Sequence, residues 1–475
     1  MGERAVGTMS DSDALLWTIG RDPVLRTTIV AVMALDRAPR FADVQLRTEE
    51  LTRTVPRLRS RVLERPLGWG RPRFCEDAHF NLDLHLRRVV LPAPATFRSV
   101  LDLAQAMATT SFDPQLPLWE SVVVEGIDEG SAAYIVKLHH ALVDGVGGIA
   151  VLLHLLDRGR RPLRERRANR PSSSPGGQDD PGSTSVSSDA PVPSPGSADS
   201  EACAIWRSAD YFERRAGVSV SLADGIEKVL ATAESAARLL APARKPISPL
   251  MTERSIGRRF EVLDLSLPTL RRAAKVTGGT INDMFVAGIM GGLRRYHELH
   301  NVDIESLRAL MPVNVRGGED SLAGNRFVPA RFIVPVTDDP AQCVREAQRI
   351  AGSWKHAPGL KLSDVVAAGL ELLPPPLISA VWGSMLKGDD FCVTNVPGPP
   401  FETYLAGSRV ERVYAFAPPS GAALNVALVT PAGRACVGIN VDDAAVPDSP
   451  KLAACLADGF DDVLRLGRGH HRDQP

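Results

Sequence analysis

The chain has 475 residues, 44% hydrophobic and 23% charged, with 55 basic against 56 acidic side chains and a formal net charge of −1. That length suggests two or three domains with large cores, and the near-zero charge gives no overall drive toward nucleic acid or an anionic membrane. The sequence holds no uninterrupted run of about 18 apolar residues to span a bilayer, and residues 1–18 mix Arg4 with Glu3, Asp11 and Asp13, unlike a secretory signal. The six cysteines (Cys75, Cys203, Cys343, Cys392, Cys436 and Cys455) are scattered with no CxxC pair, which reads as thiols in a reducing, cytoplasmic compartment.

In chain order, apolar runs predict a strand over 27–35, helices over 41–54 and 98–109, and a strand over 133–138. Residues 157–170 contain seven arginines, and 171–200 are rich in Ser, Pro, Gly and Asp. Such a stretch buries too little apolar surface to offset its ordering entropy, so disorder is expected there. A helix-like run covers 219–240, and Thr280 reads as the N-cap of a helix reaching about His297. Strand-like segments follow at 306–312, 331–336, 391–395, 423–429 and 435–440. Helix-like runs at 365–373 and 377–386, split by three prolines, read as core. Strands interleaved with helices argue for the α/β class.

The most informative segment is His139-His140-Ala141-Leu142-Val143-Asp144-Gly145. It follows the strand-like run and precedes a glycine-rich turn, so the histidines sit where a strand ends and a loop begins. Neighbouring strand residues point to opposite faces. One histidine is therefore expected to act as a base and the other to pack or orient. A neutral imidazole, with an unperturbed pKa of about 6.5, suits proton abstraction at neutral pH. Asp144 reads as a helix N-cap or as an arginine partner that stiffens the loop. Adjacent strand histidines do not suit a metal, and no other ligand cluster completes a site, so none is expected. His154, on the apolar helix after the motif, reads as packed, as does Trp119.

This motif resembles that of acyltransferases in which a histidine base promotes attack on a thioester. They include chloramphenicol and carnitine acyltransferases, the condensation domains of peptide synthetases, and the wax ester synthase/diacylglycerol acyltransferase family. Other segments favour the last. Pro117-Leu118-Trp119-Glu120, Gly279-Thr280-Ile281-Asn282-Asp283, Met311-Pro312-Val313-Asn314-Val315-Arg316 with Gly324-Asn325, and Thr394-Asn395-Val396-Pro397-Gly398-Pro399 resemble its motifs, in order. The resemblance implies two chloramphenicol-acetyltransferase-like domains, each a mixed sheet with flanking helices, and an active-site tunnel between them. It divides the chain into an N-terminal half (1–156), a disordered linker (157–205), a connecting helix (206–250) and a C-terminal half (251–475).

The same resemblance implies transfer of a long-chain acyl group from fatty acyl-CoA, as substrate, to diacylglycerol or a long-chain alcohol. No cofactor is implied, no nucleic acid, and at most a peripheral contact with a membrane or lipid droplet. His140 would be the general base and His139 its partner, with Asp144 and Gly145 shaping the loop. Thr394 is the candidate oxyanion donor, with Asn395 beside it. Asn282, Asp283, Pro117, Trp119 and Arg316 take structural roles, Arg316 as a partner for Asp144. The chain departs from the family in its long insertion and in Asn314, where the family often has serine, which bears on acceptor preference. Two rival functions are a carrier-dependent condensation or tailoring acyltransferase and a non-catalytic lipid-binding protein. The Asn-Val-Pro-Gly-Pro loop weighs against the first and the intact histidine motif against the second.

Overall fold

A computed structural model describes residues 5–64, 71–143, 145–160, 245–314, 327–355, 383 and 386–468. The first part of the chain forms β1 (Ala5–Thr8), α1 (Asp11–Ile19), β2 (Thr28–Leu35), α2 (Phe41–Thr54), β3 (Ser60–Leu63), β4 (Arg73–Glu76), β5 (Leu86–Val90), α3 (Phe97–Thr109), β6 (Trp119–Glu125), β7 (Ala132–His139) and α4 (Gly145–Leu155). The second part forms β8 (Arg258–Leu265), α5 (Leu267–Val276), α6 (Ile281–Leu299), β9 (Ser306–Asn314), β10 (Phe327–Pro335), α7 (Pro340–Lys355), β11 (Phe391–Val396), β12 (Tyr404–Leu405), β13 (Ser408–Phe416), β14 (Leu424–Val429), β15 (Ala435–Asp442) and α8 (Ser449–Leu466).

Two six-stranded sheets carry the molecule, in the orders β12-β13-β2-β7-β6-β5 and β10-β9-β11-β14-β15-β8, beside a small β1-β4-β3 sheet. Both large sheets are mixed. β5 and β6 run parallel in the first, and β11 runs parallel to both β9 and β14 in the second. This is the α/β architecture the resemblance implies. Hydrophobic alternation explains why β2 and β7 read as continuous apolar runs: they are buried on both faces. Val30 and Val32 of β2 face one core with Val100 and Ala104 of α3. Ala31, Met33 and Leu35 face the other, with Val44 of α2 and Leu152 of α4. The second sheet packs one face on α5, α6, α7 and α8.

A division by chain order alone does not describe the sheets. β12 and β13 lie within 251–475, yet β13 pairs antiparallel with β2, from Val410 opposite Leu35 to Phe416 opposite Val30. Without that strand, the doubly buried β2 would end the sheet as an open apolar edge. Asp157 is also anchored where the linker was expected to start. It exchanges two backbone hydrogen bonds with Tyr404, of 2.7 and 2.8 Å, and its carboxylate pairs with Arg47. The linker from residue 161 on, the run at 219–240 and the run at 365–373 lie outside the described residues, and residues 245–250 are irregular. His154, expected to pack, is exposed, because Val151, Leu152 and Leu155 give α4 its buried face.

The halves touch where β13 crosses the second sheet. Phe260 of β8 stacks on Phe416 of β13, ring centroids 4.0 Å apart. A Cβ at Gly438 of β15 would lie 2.2 Å from the Ala415 carbonyl oxygen, so only glycine lets the two strands approach. Arg258 pairs with Asp442 at 3.0 Å and donates to the Val24 carbonyl at 3.1 Å. Lys387 reaches Asp22 at 2.8 Å. Gly438→Val is expected to separate β13 from β15 and destabilise the protein by about 2 kcal/mol or more, as overpacking does. Chemical denaturation checks this, and an unchanged midpoint would show that the strands have room to part.

Candidate active site

The backbone places the histidines first. β7 ends at His139, whose N–H donates to the Leu118 carbonyl at 3.0 Å, and the His140 N–H donates to the Thr27 carbonyl at 2.8 Å. The Pro117-Leu118-Trp119 segment and the start of β2 thus clasp the pair from either side. Trp119 is held in turn. Its indole N–H donates to the Leu58 carbonyl at 2.7 Å, and its ring stacks on His85 with centroids 4.8 Å apart.

The His139 ring is fully committed. The Ala141 backbone N–H donates to its Nδ1 at 3.1 Å, so Nδ1 carries the lone pair. The proton therefore sits on Nε2, which lies 3.1 Å from Thr27 Oγ1 and donates to it. Thr27 Oγ1 passes its own proton to the Leu16 carbonyl of α1 at 3.3 Å. Trp17 and Phe112 pack against the ring, with centroids at 5.3 and 6.0 Å. Burial, and to a lesser degree the neighbouring His140, push the His139 pKa down to about 3. A Cβ on Gly20 would lie 2.8 Å from Thr27 Oγ1 and 3.3 Å from His139 Nε2, so glycine makes room for this chain of bonds.

His140 lies just past the strand and is partly exposed. The loop after it is tied down by a turn in which the Leu142 N–H donates to the His139 carbonyl at 3.0 Å. Arg57 braces the same turn. It pairs with buried Asp13 of α1 at 3.3 Å, reaches the Leu142 carbonyl at 3.5 Å and lies over the Phe74 ring. Gly145 opens α4. Asp144 and Arg316 lie outside the described residues.

The second half supplies the facing surface. Along β11, Phe391 and Val393 point into the core beneath the helices. Cys392 points the other way, into an apolar cluster with Leu15, Ile19 and Leu25 of the first half. Val396 joins the cluster that contains Ala141, Leu142 and Val143 of the histidine loop. Thr394 shares the strand face of Cys392 and Val396, so it occupies the polar position between two apolar contacts on the face turned toward the histidine half. Its hydroxyl accepts from Asn425 Nδ2 at 3.2 Å.

Other sequence candidates fall elsewhere. Asn395 is exposed on the opposite face of β11, where its amide reaches Asn282 Oδ1 at 3.5 Å. The strand pleat thus separates it from Thr394. β11 pairs with β9 only at Phe391 and Cys392, and Asn282 stands over the divergence, also near Met311 Sδ at 3.9 Å. Asp283 is buried in a capping box. It accepts from the Thr280 N–H at 2.8 Å while Thr280 Oγ1 accepts from the Asp283 N–H at 3.2 Å. Gly398 lets the proline loop close: a Cβ there would meet Pro431 N at 2.7 Å. Among the described residues, no group of three His, Cys, Asp or Glu could hold a metal ion. Thr27, Gly20, Arg57 and Asn425 escaped sequence reasoning, because each matters through a partner 31 to 112 residues away or, for Gly20, through the space it leaves.

A buried imidazole is thus braced beside a second, partly exposed one where two mixed sheets meet, in the fold of the histidine-motif acyltransferases. The family model for the wax ester synthase/diacylglycerol acyltransferase catalytic domain matches residues 9–285, and the model for the WS/DGAT C-terminal domain matches 323–463. A putative diacylglycerol O-acyltransferase of Mycobacterium tuberculosis is 34% identical over 449 residues, covering 94% of this chain and 90% of its own. One of Mycobacterium bovis is 28% identical over 408 residues, covering 83% and 84%. The solved wax ester synthase/diacylglycerol acyltransferase of Marinobacter aquaeolei shares the fold at 18% identity with a TM-score of 0.60, covering 97% of this chain and 100% of its own. The first condensation domain of the calcium-dependent antibiotic synthetase matches at 15% identity and a TM-score of 0.60, covering 98% and 96%. The chain belongs to the wax ester synthase/diacylglycerol acyltransferase family and is an O-acyltransferase.

A depressed histidine pKa means the unfolded chain binds a proton that the folded one rejects. The stability contributed by neutral His139 is complete above about pH 6.5 and is lost as pH falls toward its folded value of about 3. In His139→Gln, the fall in melting temperature between pH 6.5 and 4.5 is expected to be smaller than in the wild type. Parallel pH profiles for the two proteins would refute the assignment.

Proposed function

We propose that the protein transfers a long-chain acyl group from fatty acyl-CoA to diacylglycerol or a long-chain alcohol, with His140 as general base. The observation that carries this assignment is the division between the two histidines. Both His139 nitrogens are committed to Ala141 and Thr27 inside the protein, whereas His140 lies past the strand end and is partly exposed, within reach of a substrate. An imidazole nitrogen of His140 takes the acceptor hydroxyl proton as the oxygen bonds to the thioester carbonyl carbon. The carbonyl becomes an oxyanion, to which Thr394 donates a hydrogen bond. When the intermediate collapses, the C–S bond breaks and His140 returns the proton to the CoA thiolate. No acyl-enzyme forms, and no cofactor takes part.

The diacylglycerol named for the mycobacterial relatives makes triacylglycerol the first product to seek. Both substrates are lipids, so the enzyme is proposed to work at a membrane or droplet surface. No helix among the described residues is long and apolar enough to cross a membrane, so that contact would be peripheral. A carrier-linked donor remains the rival, since a condensation domain shares the fold equally well, but the family match covers this chain's own sequence.

CoA release and ester formation from palmitoyl-CoA, with hexadecanol and diacylglycerol offered separately, test the assignment. The wild type is expected to form ester with at least one acceptor. A folded His140→Ala variant is expected to lose about 10²–10⁴-fold in kcat, the usual worth of a general base. Equal activity in both would remove His140 from the role. An inert wild type that binds lipid without consuming thioester would favour a binding function.

A further inference from the structure

We propose that Asn425 is a positioning residue that turns the Thr394 hydroxyl into a dedicated donor for the reaction. This inference rests on Thr394 serving the oxyanion. Asn425 lies on β14, the parallel neighbour of β11, and is buried. It alternates with Leu424 and Val426, which face the helical core, so its amide points to the same side as Thr394. Asn425 Nδ2 makes two contacts, with the Pro418 carbonyl at 3.3 Å and with Thr394 Oγ1 at 3.2 Å.

The chemistry of these partners sets the direction of both bonds. A carbonyl oxygen only accepts, so the group facing Pro418 must be the amide NH2 and not the amide oxygen. The same NH2 then donates its second proton to Thr394 Oγ1. A hydroxyl that accepts from an amide keeps its own proton for another acceptor. Thr394 is partly exposed toward the histidine half, and its hydroxyl proton is committed to no acceptor among the described residues. Donation from Asn425 also makes that O–H a stronger donor, because chained hydrogen bonds polarise one another.

The amide is not simply a satisfied structural group. Asn425 Oδ1 is buried with no hydrogen-bond partner among the described residues, an arrangement that costs stability. The unusual Pro418-Pro419-Ser420-Gly421 turn, with Ser420 at φ 51° and Gly421 at φ 92°, brings the Pro418 carbonyl to the amide. In the neighbouring strand, Asn440 sits opposite Asn425 and donates to the Ala417 carbonyl at 2.9 Å. Asn440 thus holds the turn, while Asn425 also reaches the hydroxyl.

The test is a double-mutant cycle on the full chain with palmitoyl-CoA and the preferred acceptor, each variant checked by thermal melting. Thr394→Val is expected to lose about 10²–10³-fold in kcat, as removal of one oxyanion donor does. Asn425→Leu should lose about 10-fold in kcat with KM nearly unchanged, and should cost nothing further in the Thr394→Val background. Asn425→Asp keeps the shape but presents an acceptor to Thr394, so it should lose at least as much as Asn425→Leu. It also serves if the leucine variant fails to fold. Full kcat in a folded Asn425 variant, with Thr394→Val impaired, would overturn the positioning role and leave Thr394 standing. Losses that add fully in the double variant would make Asn425 merely structural. Wild-type kcat in Thr394→Val would overturn the oxyanion assignment itself.

Discussion

The antiparallel pairing of β13 with β2 is the constraint on which the rest of the molecule depends. It takes a strand from late in the chain and completes the sheet that carries the histidines. The same strand rests on Gly438 and stacks Phe416 on Phe260. Because β13 runs directly into the turn before β14, its position also sets where β14 and its neighbour β11 face the first half. A strand pairing thus brings Val396 of β11 into one apolar cluster with the histidine loop, a contact that no local interaction could make.

Within that frame, the histidine pair shows how a strand end separates support from chemistry. His139 completes a chain of bonds from the Ala141 amide through Thr27 to α1. Burial keeps it neutral, which removes it from proton transfer across the physiological range. Its neighbour gains a rigid backbone without gaining its burial. The proposed role of His140 as general base would draw on that rigid support and partial exposure, since misplacement by about 1 Å can cost about 10²-fold in rate.

The two halves meet by apolar clusters on either side of a polar gap. Leu15, Ile19 and Leu25 close one side against Cys392 and Leu386, and the histidine loop closes the other against Val396 and Val429. Apolar surroundings strengthen each hydrogen bond between them. Asn425 links Thr394 and the turn at 417–421 by one amide-to-hydroxyl and one amide-to-carbonyl bond.

Much of this was legible from the residues. The apolar runs at 27–35, 41–54, 98–109, 391–395 and 435–440 became β2, α2, α3, β11 and β15, because hydrophobic periodicity and helix capping are local properties. The Thr280 cap with Asp283 was readable for the same reason, and the histidine motif carried both the family and the reaction class. The membership of β13 in the first sheet was not readable, since an alternating strand states which of its faces is buried but not against which sheet. Nor were the tautomer of His139, the bracing by Arg57, the separation of Asn395 from Thr394, or the direction of the Asn425 bond. By itself the sequence determined which side chains were present and which segments were helical or extended. Tertiary structure alone decided which of them meet, because hydrogen-bond direction and burial depend on partners distant in the sequence, which only the packed chain brings within reach.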